Sequence, residues 1–121
     1  MSEEVDKLKE RLSYIQTLPR KAKAPNLRPL LPLMTYHYLK ENGLNHSFIH
    51  SSDLVRFYGL DPFKMGKVIT KELQRIRNEG NNPYGPIHIT GAVPIHNPQQ
   101  HREKLMFKVR TTGLVNNPLE A

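Results

Sequence analysis

Apolar positions recur at helical spacing in three parts of the chain and alternate in two others. Val5, Leu8, Leu12 and Ile15 follow a 3-4-3 spacing, which predicts an amphipathic helix over Glu3 to Leu18. Leu33, Met34, His37, Tyr38 and Glu41 repeat in the same way. They predict a helix from Leu30 to Asn42, with Pro32 in its first turn and Gly43 closing it. In the stretch Ser51 to Glu79, Leu54, Tyr58, Leu60, Met65 and Val68 are placed to share one buried face between two helices. Two strands follow. Ile87, Ile89 and Val93 mark the first, with Gly91 as a bulge, and Leu105, Phe107 and Val109 alternate with Met106, Lys108 and Arg110 in the second. A short β-prone segment, Asn45 to His50, precedes the helix pair and is expected to join the later hairpin.

The junctions agree with these periods. Gly59 ends the first helix of the pair where the backbone needs a positive φ, and Ser51 or Ser52 is expected to cap its start. Asp61 followed by Pro62 is an N-cap and a first helical residue. The helix of residues 62–79 then carries two faces. Met65, Ile69, Leu73 and Ile76 point inward, while Lys64, Lys67, Lys71, Arg75 and Asn78 fall on roughly the opposite side. The run Gly80 to Pro86 is dense in turn residues, and His96 to Arg102 reads as a polar loop between the two strands.

On the apolar positions Leu54, Tyr58, Leu60, Met65 and Val68 and the turn glycine Gly59, the stretch resembles the helix-turn-helix of the winged-helix DNA-binding superfamily. Val55 stands where that motif usually has alanine. Gly66 is a second departure, costing about 1 kcal/mol of helix propensity relative to alanine and leaving room for a phosphate or a neighbouring helix. The resemblance implies an α+β fold: a winged helix-turn-helix over residues 30–111, with a three-helix core and a β-hairpin wing, preceded by the amphipathic helix of residues 1–18. Residues 19–29 are expected to be a basic, proline-containing linker and residues 112–121 a polar tail with Leu114 and Val115 against the body.

Charge sharpens this picture. The formal net charge of +7 is unevenly spread. Residues 1–18 hold four acidic and three basic groups, whereas Pro19 to Pro29 holds four cations, three prolines and no acid. Residues 61–80 hold five basic and three acidic groups. Cations concentrated in a linker and on the outer face of a second helix suit a polyanion. The expected DNA contacts are Arg20, Lys21, Lys23 and Arg28 on the connector, and Ser52 before the turn. To these are added Lys64, Lys67, Thr70, Lys71, Gln74 and Arg75 on the second helix, and His101, Arg102 and Lys104 on the wing.

Other chemistry lacks a pattern. There is no P-loop, no G-x-G-x-x-G and no G-x-S-x-G, and acidic residues are scattered singly through the domain of residues 30–111 rather than in the cluster that bound Mg²⁺ would need. Six histidines without cysteines show no helical H-x-x-x-H, so neither a metal nor another cofactor is expected, and an enzyme is not. No apolar run reaches the ~20 residues of a membrane span, and the charged start is unlike a signal peptide. The expectation is an intracellular protein, cytoplasmic or nucleoid-associated. Its expected role is binding double-stranded DNA in transcriptional regulation, partition or replication, with helix 62–79 in the major groove and residues 96–104 on the backbone or minor groove. A protein-interaction module in a larger assembly and an RNA-binding protein are the alternatives. For the N-terminal seam, docking on its own domain and pairing of two copies fit equally well.

Overall fold

The computed structural model describes residues 3–79, 87–97 and 102–111, with side chains in the last two segments limited to Ile89 and to Leu105–Arg110. The expected turn at 80–86, residues 98–101 of the loop and the tail at 112–121 lie outside the described residues. The order is α1 (Glu3–Ile15), α2 (Arg20–Leu27), a 3-10 turn (Arg28–Leu30), α3 (Leu31–Glu41), β1 (His46–Ile49), α4 (Ser51–Phe57), α5 (Pro62–Glu79), β2 (Ile87–Asn97) and β3 (Arg102–Thr111). Helices and one antiparallel sheet thus make a mixed α+β fold. The sheet runs β1-β3-β2, so the central strand is the last of the described strands.

One apolar core joins every layer. Leu8, Leu12, Leu31, Met34, Leu54, Met65, Ile69, Leu73, Phe107 and Val109 are all fully buried within it. Tyr58 crosses the core to donate its hydroxyl proton to the Met34 carbonyl at 2.6 Å, and burial pushes its phenol pKa up strongly. Gly59 takes φ +65° and Gly43 φ +68°, each just beyond a helix end, the left-handed conformation that glycine adopts without strain. On β3, Phe107 and Val109 point inward while Lys108 and Arg110 are exposed. The β2–β3 register shifts between Ile89 and Gly91, the bulge expected there. Both strands extend further than their alternation suggests, so Arg102 pairs with Asn97 inside the hairpin rather than lying in a loop.

Two expectations are corrected. Residues 19–29 are not an extended connector, for α2 and the 3-10 turn occupy them despite Pro25 inside the helix. Tertiary anchors outweigh the proline penalty: Leu27 is fully buried and Arg28 is ion-paired to α5. The cap of α4 is His50 rather than a serine. Its Nδ1 accepts from the Ser52 amide at 3.1 Å, and its own amide donates to Asp53 Oδ2 at 2.8 Å, a reciprocal box. The α1 seam residues Val5, Leu8, Leu12 and Ile15 are buried in the chain's own core, the docking that was one of the two readings of their spacing. From the end of α1, Gln16 Oε1 accepts the Asp61 amide at 3.1 Å and so ties α1 to the α4–α5 turn.

His37 links α1 to α3. It is 2% exposed, and its Nε2 lies 3.0 Å from Glu4 Oε2. Burial lowers its pKa below 6.5, with Lys40 adding to the effect, and this outweighs the opposite pull of Glu4 and Glu41. The fold therefore favours the neutral ring. Below pH 6.5 the unfolded chain takes up this proton before the folded one does, so His37 costs stability as pH falls toward its folded pKa and nothing above pH 6.5. Denaturant unfolding at pH 5 and pH 7 should show a steeper acid loss for the parent than for His37→Leu. Equal slopes would rule out a neutral buried imidazole.

Candidate nucleic-acid interface

The outward face of α5 is built by exclusion. Met65, Ile69, Leu73 and Ile76 turn to the core, which leaves Phe63, Lys67 and Lys71 as a line at i, i+4 spacing on the exposed side, with Lys64 beside it. The start of the helix is fixed by Asp61, whose Oδ1 accepts the Phe63 amide at 2.9 Å.

Two grooves flank this ridge. On one side, α2 packs along α5 and encloses a cleft of about 550 Å³ lined by Arg20, Lys23, Lys64, Lys67 and Lys71 over Ala24, Pro62, Phe63 and Val68. No carboxylate lines it among the described residues. Lys23 Nζ donates to the Lys64 carbonyl at 3.2 Å, which holds the α2 wall against α5 and leaves two of its three protons free. On the other side, a cleft of about 520 Å³ runs between α4 and α5, lined by His50, Ser51, Ser52, Val55, Gly66, Lys67, Thr70, Lys71 and Gln74. Lys67 and Lys71 border both.

The expected contact residues therefore separate into groups. Arg20, Lys23, Lys64, Lys67 and Lys71 converge on one groove, while Ser52, Thr70 and Gln74 line the other. Lys21 is exposed on α2 but does not line the α2–α5 cleft. Thr70 is half-committed: its hydroxyl sits 2.8 Å from Ser51 Oγ and 3.0 Å from the Gly66 carbonyl, bracing α5 on α4. Arg28 and Arg75 are ion-paired to carboxylates of α5. Glu72, 4% exposed, receives Arg28 through both oxygens at 2.7 and 3.3 Å and Arg75 Nε at 3.2 Å. Arg75 also reaches Glu79 at 2.7 Å. His101 lies outside the described residues, as do the side chains of Arg102 and Lys104. On β3 of the hairpin, Lys108 and Arg110 are exposed cations that were not among the expected contacts, with Lys108 Nζ 6.0 Å from the Phe48 ring centre.

Phe63 was missed as well. It is 97% exposed and was not among the expected contacts. Its wheel position, four residues before Lys67, is the signal that places it off the core face. The remaining histidines with described side chains have structural roles. His46 Nδ1 lies 2.7 Å from Asn45 Oδ1, His50 caps α4 and His37 is buried. Among the described residues no group of three or more His, Asp or Glu comes together as a metal site, and no helix is long and apolar enough to cross a membrane.

No protein-family model matches the sequence, and no curated protein or solved structure matches it significantly.

A Cβ added at Gly66 would meet nothing within 4 Å, so neither helix contact nor close packing requires glycine there. Gly66→Ala should stabilise the fold by about 0.5–1 kcal/mol in denaturant unfolding, the helix-propensity difference. A loss of stability would show that the position is sterically closed.

Proposed function

We propose that the chain binds double-stranded DNA as a winged helix, with α5 as the recognition helix. The element order α3-β1-α4-α5-β2-β3 and the sheet order β1-β3-β2 support the fold reading, with β2–β3 as the wing and α1–α2 as an N-terminal addition. The observation that carries the functional reading is the α2–α5 groove: five cations, none ion-paired among the described residues, with no carboxylate among them.

In this reading Lys67 and Lys71 on the α5 ridge enter the major groove, which is wide enough for one helix. Arg20 and Lys23 on the α2 wall meet phosphates of one strand, and Ser52 at the start of α4 meets phosphates of the other. Lys64, at the first turn of α5, lies between ridge and wall. The exposed Lys108 and Arg110 give the hairpin side a positive surface for adjacent backbone. Phosphate contacts supply affinity, and the ridge supplies choice among sequences. A site with strong sequence preference fits a regulator of transcription, and a weak preference fits partition or replication. The competing reading, an acidic protein partner on the same groove, predicts no saturable binding to duplex.

The test is titration of the full chain with duplex DNA, single-stranded DNA and RNA, after selection of a preferred duplex from a random library. Lys67→Ala should cost roughly 1–3 kcal/mol on the preferred duplex and less on a scrambled one. Folding stability should change by less than about 0.5 kcal/mol, since the side chain is exposed. A folded variant that binds both duplexes as the parent does would remove α5 from the interface.

A further inference from the structure

Phe63 is the most exposed large apolar side chain described, at 97%, against 62% for Tyr14, 50% for Phe48 and 45% for Leu44. Phe48 has the Lys108 ammonium over its ring, whereas Phe63 has no ring or cation contact of this kind among the described residues. A phenyl ring left in water forgoes the stabilisation that burial gives it. The position is not loose, because Pro62 and the Asp61 cap fix the backbone just before it at the helix start. The ring therefore projects from a rigid helix start.

The charged residues that line the groove beside it, among the described residues, are all cations. Phe63 borders the α2–α5 groove together with Arg20, Lys23, Lys64, Lys67 and Lys71, and it begins the line that continues through Lys67 and Lys71. An apolar anchor at the head of a cationic ridge requires a ligand that is anionic along its length and apolar at one point. Duplex DNA offers that combination in the major groove, where thymine alone presents a methyl group among polar base edges and flanking phosphates. We infer that Phe63 is a specificity-determining residue that packs on the C5-methyl of a thymine in the bound duplex. This rests on the duplex-binding reading and names the base that the head of the ridge selects.

The chemistry sets the size of the effect. Removing one buried methyl group changes affinity by roughly a factor of four. The whole ring covers more than a methyl, so Phe63→Ala should weaken the preferred duplex by about tenfold, without loss of fold, because the side chain buries almost nothing in the free protein.

The test is a cycle between protein and DNA. The full chain and Phe63→Ala are titrated with the selected duplex carrying thymine, and with the same duplex carrying deoxyuridine at each thymine in turn. At one position per bound chain, loss of the methyl should weaken the parent about fourfold and leave Phe63→Ala unchanged. Unfolding curves of the two proteins should coincide. Tight parent binding that is indifferent to deoxyuridine at every position would overturn the inference while the duplex reading stands. An equal methyl effect in both proteins would also overturn it, by assigning the methyl contact to another residue. Absence of parent binding to any duplex would remove both readings.

Discussion

A single buried carboxylate ties the helices that build the candidate groove together. Glu72 on α5 receives Arg28 from the 3-10 turn and Arg75 from one turn further along its own helix. Buried charge is costly unless paired and hydrogen-bonded, and here both oxygens are occupied. The pairing fastens the α2–α3 junction to α5. It also engages two arginines in ion pairs within the fold. Lys64, Lys67 and Lys71, on the far side of the same helix, keep their ammonium groups in solvent. The Glu72 anchor and the Lys23 bond together place the α2 wall alongside the ridge, so the groove depends on a contact some way from its mouth.

The helical periods carried most of the fold into view. Met65, Ile69, Leu73 and Ile76 line the core as their spacing requires, and the two positive-φ glycines end their helices where turn chemistry calls for them. The failures have physical causes. In residues 19–29 three prolines and the lack of an apolar repeat conceal a helix whose stability comes from one buried leucine and one long-range ion pair. A histidine cap was hidden by two adjacent serines, which are far more usual in that role. For the N-terminal seam, periodicity alone leaves open whether an apolar face meets its own domain or another molecule. In the fold, Val5, Leu8, Leu12 and Ile15 pack into the chain's own core.

The candidate interface was legible by charge and illegible by pairing. Counting cations places Arg28 and Arg75 beside Lys67 and Lys71, since nothing local distinguishes a structural arginine from a free lysine. The distinction lies in a carboxylate 44 residues from Arg28 in the chain. Phe63 shows the converse error. Aromatic residues are read as core by default, yet its place on the wheel sets it among the lysines. Two positions on α5 also run against the fold's own interest. Gly66 lowers helix propensity without a packing reason, and Phe63 leaves a phenyl ring in water. Both lie on the surface that faces the proposed ligand.

DNA binding through this groove is tested most directly by the salt dependence of affinity for duplex DNA. Each neutralised phosphate contributes about 0.9 to the magnitude of the slope of log K against log salt. With Arg20, Lys23, Lys64, Lys67 and Lys71 converging on one cleft, the full chain should show a slope of magnitude about 3 to 5. A slope near zero, or no binding at low salt, would contradict a duplex-binding role for the α2–α5 groove.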